Sequence, residues 1–356
     1  MLMAEPVKYE NHFLRFLCAV ILMFICWTHF YSDLEYNGVY INDMVFGMGR
    51  FAIPIFFLIS GYFSYSDDGH AEKSLWKKML RIIILAIFLK LFYLLLDCIY
   101  LATGVIDMDY LLRAFFVFEA TTAHAWFVYS LILSYLVALL FYKKGIHFKY
   151  YLMIGSIILI VDLIFTEFLP MFGFIDLWED WTTIRVGENL YPFIGLFFFP
   201  LGYFIHKHMG RINELFSSRF LQVVMILSVP LAFFEALAVP GETCNMYISA
   251  ITLSLSMFIL SFRLRDDQLR NRPLEYLGRE AMPWMYVFFP AAIFFTKNIL
   301  LKDCNDFMLY NLGGPFISVG IQILMALAMC GLLALIKRKK EACTNSVNEQ
   351  IPSTDS

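Results

Sequence analysis

The chain has 356 residues, 60% of them hydrophobic and 16% charged, with a formal net charge of −3. A soluble domain of this length cannot hide so much apolar surface, and the near-neutral balance offers no basic face for nucleic acid. The seven cysteines show no C-x-x-C spacing and so no metal signature; most fall in apolar runs, where a thiol acts as a small hydrophobe.

The apolar residues form long runs rather than alternating segments. This predicts an all-α membrane protein of about ten transmembrane helices, not a barrel. In chain order the spans lie near 13–31, 44–64, 81–101, 125–142, 150–169, 189–206, 220–239, 246–262, 279–296 and 313–336. The first is not read as a cleaved signal peptide, because the bulky run Trp27-Thr28-His29-Phe30-Tyr31 offers no small-residue cleavage site. Residues 110–118 are apolar but too short to cross. The polar tail 341–356 is expected to lack regular structure, leaving 1–340 as one membrane domain.

The loops alternate in charge. Lys73, Lys77, Lys78 and Arg81 follow the second span, Lys143, Lys144 and Lys149 the fourth, and Lys207, Arg211 and Arg219 the sixth. Arg263, Arg265, Arg270 and Arg272 follow the eighth, and basic residues 337–340 the tenth. The intervening loops carry Asp33, Glu35 and Asp43; Asp107, Asp109 and Glu119; Glu167, Asp176, Glu179, Asp180 and Glu188; and Glu242. By the positive-inside rule both termini are cytoplasmic.

The second span is the most informative segment: Arg50-Phe-Ala-Ile-Pro54-Ile-Phe-Phe-Leu-Ile-Ser60-Gly61-Tyr62. A guanidinium near hydrocarbon costs roughly 2.5 kcal/mol or more at a helix centre and less near an interface. Pro54 is expected to interrupt the backbone ladder, and Ser60-Gly61 to permit close helix approach. Arg50 is either a cation snorkelling to headgroups or a fixed charge for a phosphate, carboxylate or oxyanion. Lys90 and Asp162, also inside spans, pose the same choice.

Of the histidines, His70, His147, His206 and His208 fall in charged or basic loops and read as solvated. His29 and His124 instead sit near the outer ends of the first and fourth spans. His29 lies about 21 Å along the first helix from Arg15. Asp33, one turn further on, is placed to orient its imidazole as carboxylates orient general-base histidines. The alternative for His29 is membership of an aromatic interfacial belt with Trp27, Phe30 and Tyr31.

Arg50 to Tyr62 resembles the R-x-A-x-P-x-F-F-x-x-S-G-Y signature of the acyltransferase-3 family of integral membrane acyltransferases. Other segments resemble that family in the same order: Leu14-Arg15-Phe16-Leu17, His124-Ala-Trp126-Phe127, the run from Tyr191 through Gly195 to Leu201-Gly202-Tyr203, and Leu277-Gly278-Arg279-Glu280 leading to Tyr286 and Pro290. The resemblance covers most of 10–340 and implies a multi-pass protein of a bacterial plasma membrane. It implies transfer of an acyl group, commonly acetyl, from cytoplasmic acyl-CoA to a hydroxyl of a surface glycan or lipid-linked sugar. Acetyl-CoA or another acyl-CoA would be the co-substrate, with no metal. His29 or His124, with Asp33, would supply the base. Arg50, Ser60 and Tyr62 would stabilise charge, and Arg15, Lys77, Lys78 and Arg81 would meet the CoA phosphates.

Three positions depart from the family. Its first-helix histidine falls at Cys26, eleven residues after Arg15. Its late histidine falls at Phe289, and its serine after Gly278 at Ala281. His29 lies one turn beyond Cys26 on roughly the same helix face. Either the catalytic geometry has moved outward by a turn, or this chain has lost acyl transfer. The competing reading is a non-catalytic member that transports or binds a small solute such as an amino acid, its charges and the prolines Pro54, Pro192 and Pro200 lining a pathway.

Overall fold

The computed structural model of the chain describes residues 11–30, 35–36, 39–40, 45, 47, 49–65, 71–102, 126–173, 192–239, 246–263, 272–302, 304 and 306–349. The helices in chain order are α1 (His12–His29), α2 (Ala52–Tyr62), α3 (Ala71–Ala102), α4 (Trp126–Lys143), α5 (Phe148–Leu163) and α6 (Pro192–Leu215). There follow α7 (Ser218–Ala238), α8 (Ile248–Arg263), α9 (Arg272–Tyr276), α10 (Met282–Phe295) and α11 (Gly314–Glu349). Single π-helical turns continue α5 (Ile164–Phe168), precede α10 (Leu277–Ala281) and follow it (Thr296–Leu300). The only strands among the described residues are the two-residue antiparallel pair Glu35–Tyr36 and Val39–Tyr40.

Six described runs are long and apolar enough to cross a membrane: His12–His29, Glu72–Cys98, Trp126–Lys143, Phe148–Met171, Ser218–Ala238 and Leu309–Lys339. Ala52–Tyr62 and Ile248–Arg263 are apolar but shorter. The expected span near 189–206 falls on the part of α6 before its kink at His208 (φ −116°, ψ 19°), and that near 279–296 on a helix, α10, bounded by π turns. Along α3, Trp76, Leu80, Ile84, Ile87, Leu91 and Leu95 are exposed on one stripe, the surface that lipid rather than water would cover. α11 carries helix to Glu349, into the tail expected to be irregular, because neither Gly nor Pro interrupts 337–349.

The chain forms two compact units, Met1–Asp33 with Arg265–Ser356, and Leu34–Leu264. In the first, α1 packs on α9, α10, α11 and the π turn Leu277–Ala281, and α10 packs on α11. Asn11 caps α1 by accepting the Leu14 N–H at 2.8 Å. A Cβ on Gly278 would stand 1.8 Å from the Arg15 carbonyl oxygen, so only glycine lets that turn meet α1.

In the second unit α6 is the central element, packed on α2, α4 and α5, while α7 pairs with α8 and α8 touches α2. The α2–α6 crossing is backbone on backbone. A Cβ on Gly61 would lie 1.8 Å from the Phe199 carbonyl oxygen, and one on Gly202 would lie 2.1 Å from that of Leu58. Gly61 thus gives the close approach expected of it. Pro54 has no N–H for the Arg50 carbonyl, and the ladder is interrupted there as expected: Val45, Gly47 and Gly49 are helical, Arg50 and Phe51 form a turn, and α2 begins at Ala52.

Gly61→Ala should lower the thermal midpoint of the purified protein in detergent, with overpacking costing about 1–3 kcal/mol or more. Gly320→Ala, where an added Cβ meets nothing within 4 Å, should leave it unchanged or slightly raised.

Candidate active site

In the first unit, His29 ends α1. Its Nδ1 lies 2.8 Å from the Ile25 carbonyl oxygen. A carbonyl only accepts, so this contact puts the proton on Nδ1 and, in the neutral ring, the lone pair on Nε2. The nitrogen that an orienting carboxylate would hold is therefore held by backbone of the same helix. Asp33, expected in that role, lies outside the described residues. The His29 ring meets the edge of Phe289, with centroids 5.3 Å apart. Phe289 is the position at which the family resemblance placed a late histidine.

Cys26, one turn back, is fully buried. Phe30 abuts Gly314, where an added Cβ would approach its ring to 2.4 Å. The Gln322 amide nitrogen donates to the Leu22 carbonyl at 3.4 Å and to the Met285 carbonyl at 3.0 Å. Leu22 to Phe30 and Gly314 to Gln322 are equal intervals on antiparallel helices. Ser318, midway between Gly314 and Gln322, is therefore level with Cys26, midway between Leu22 and Phe30. The Ser318 hydroxyl and Gln322 Oε1 have no hydrogen-bond partner, and both residues are 0% exposed. Lys297 adds a cation beside this layer, its Nζ 5.2 Å from the centre of the Phe30 ring. Sequence reasoning passed over Ser318, Gln322 and Lys297. The readable signal was a Ser-x-x-x-Gln pair, one helical turn apart, inside an otherwise apolar span.

Arg15, expected near the inner face, is half-buried on α1. Its backbone carbonyl is the group that Gly278 approaches.

In the second unit, Arg50 sits in the turn before α2, its N–H donating to the Gly47 carbonyl at 3.1 Å, and it is 8% exposed. It is buried, not snorkelling from an exposed position. The Ser60 carbonyl accepts the Ser64 hydroxyl at 2.5 Å, and the Tyr135 hydroxyl hydrogen-bonds both serines. Tyr62 stacks on Phe262, with centroids 4.4 Å apart, and on the His206 ring at 4.3 Å. His206 was expected on a solvated face. It is half-buried and its Nδ1 donates to the Tyr62 carbonyl at 2.8 Å, because α6 crosses α2 closely enough to bring the two together. Lys78 donates to the Phe63 carbonyl at the end of α2, while Lys77 and Arg81 are exposed on α3. Asp162 is buried, and Lys90 lies within electrostatic reach of the buried Asp97 on the same helix.

His124 and His70 lie outside the described residues, as does Cys244. Among the described residues no group of three or more His, Cys, Asp or Glu is placed to hold a metal.

A family model for an acyltransferase domain matches residues 11–336. The chain belongs to the acyltransferase-3 family. The match runs through both compact units and includes α1 with His29, the Arg50–Tyr62 segment and most of α11. It supports a multi-pass membrane acyltransferase in general terms. No curated protein and no solved structure matches the chain.

If His206 holds α2 through the Tyr62 carbonyl, His206→Phe keeps the ring stacking and loses only that bond. Thermal unfolding in detergent should then show a loss of roughly 0.5–1.5 kcal/mol; a solvated histidine would show none.

Proposed function

We propose that this acyltransferase-3 protein moves an acyl group, acetyl by preference, from cytoplasmic acyl-CoA to a hydroxyl of a cell-surface carbohydrate. The observation that carries the reading is the His29 imidazole, fixed through Nδ1 to the Ile25 carbonyl with the lone pair on Nε2, in a chain of this family. Nε2 takes the proton of the acceptor hydroxyl as its oxygen attacks the thioester carbonyl carbon. The C–S bond then breaks, and CoA leaves as a thiolate that takes up a proton.

The proposal assigns Arg50, Ser60 and Tyr62 to charge stabilisation, and Arg15, Lys77, Lys78 and Arg81 to the CoA phosphates. His124 is the second candidate base. The proposed arrangement is a single functional domain over 1–340 with ten spans and both termini cytoplasmic, in a bacterial plasma membrane. The replacement of the family histidines at Cys26 and Phe289 is met here by His29, one turn along, against Phe289 itself.

The test is mass spectrometry of envelope glycans from cells with the wild-type gene, without it, and with His29→Ala or His29→Gln. Deletion should remove one acyl modification, and either substitution should reduce it by about 10²-fold or more. An unchanged glycan profile on deletion would defeat the reading and make solute uptake the next assay. Full modification with His29→Ala would defeat the role of His29 alone.

A further inference from the structure

Glu167 and Glu235 take no part in the proposed acyl transfer. Glu167 was expected among the acidic residues of an outer loop, and nothing in the sequence singled out Glu235. Both are buried, at 1% and 4% exposure. Glu167 lies in the π turn that continues α5, and Glu235 near the end of α7.

The start of α8 meets both side chains. The Ser249 N–H donates to Glu235 Oε2 at 3.1 Å, and the Ser249 hydroxyl donates to the same oxygen. The Ile248 backbone also interacts with the Glu167 carboxyl. The two carboxyl groups also lie close enough to interact directly. The remaining Glu167 oxygen, Oε2, is buried with no hydrogen-bond partner, as is the hydroxyl of the adjacent Thr166.

Ionised carboxylates only accept hydrogen bonds, so two of them cannot share one without a proton. Two buried like charges in contact also repel strongly in a low dielectric. The N-terminus of α8, with its unpaired N–H groups and positive dipole end, offsets one negative charge but not two.

The surrounding elements supply little compensation. On α5 the charged residues are Lys149 and Asp162, and Asp162 adds a further acid. α7 carries Arg219 in its first turn besides Glu235. α8 carries Arg263 in its last turn, already bonded to Asn213, Ser218 and the Ile212 carbonyl. The segment before α2 touches Ala236 and Tyr247 through Gly47 and carries Arg50, held by its N–H to the Gly47 carbonyl.

We propose that Glu167 and Glu235 form a proton-binding site, with one proton held between the two carboxyl groups and the remaining charge carried by the start of α8. This goes beyond the acyl-transfer reading and does not depend on it. Loss of the proton would replace a hydrogen bond by a repulsion between α7 and the turn after α5. Proton binding is thereby linked to the packing of these elements.

Infrared spectroscopy of the purified full-length protein tests this at neutral pH. The expected wild-type result is a carbonyl-stretch band of a protonated carboxylic acid that shifts in heavy water and on labelling with isotopic glutamate. Glutamate labelling needs no variant, and it separates the pair from Asp97 and Asp162. Glu167→Gln and Glu235→Gln should each remove the band, because a glutamine amide can donate to the remaining carboxylate. Absence of a glutamate acid band in the wild type would overturn the proposal. So would a band that survives both substitutions, or one that survives Glu235→Gln alone, which would place a private proton on Glu167.

Discussion

Helices in hydrocarbon gain little from burying apolar surface against one another, so their association depends on close packing and on the few polar contacts between them. In the second unit the constraint that meets this need is the α2–α6 crossing, where Gly61 and Gly202 let each backbone approach the other's carbonyl oxygens. From that distance follow the His206 bond to the Tyr62 carbonyl, the Tyr62 stacking, and the position of the turn that carries Arg50. The short α2 depends on this contact because its 11 residues are too few to hold a helix by their own propensity.

The first unit answers the same physics with a buried polar layer. Gln322 ties α11 to carbonyls on α1 and α10, and leaves its own oxygen and the Ser318 hydroxyl inside the apolar packing. Buried polar groups are expensive when unsatisfied. Their concentration level with Cys26, below an imidazole fixed by Ile25, marks the part of this unit where packing alone does not explain the residues present. In the proposed reaction this is the unit that supplies the base.

The apolar runs were legible because their length is set by the bilayer, and six described helical runs are long and apolar enough to cross a membrane. The motif around Gly61 was legible because small residues at a crossing leave a direct trace in sequence. What stayed hidden were contacts made by residues far apart in the chain. His206 looked like one more basic-loop histidine until α6 was seen against α2. Glu167 looked like a loop acid because the π turn that extends α5 has no distinct sequence period. Glu235 lay in an apolar run whose neighbour, the start of α8, only the fold supplies.

The central claim, transfer of an acyl group across a membrane to a hydroxyl, is most directly tested with the purified protein reconstituted in sealed vesicles. Acetyl-CoA with a radiolabelled acetyl group is supplied to the face bearing the basic loops, and a carbohydrate acceptor to the opposite face. The account predicts protein-dependent, ester-linked label on the acceptor, released by mild base and absent with His29→Ala. Label that stays entirely on acetyl-CoA, in vesicles that instead accumulate a free amino acid, would contradict it.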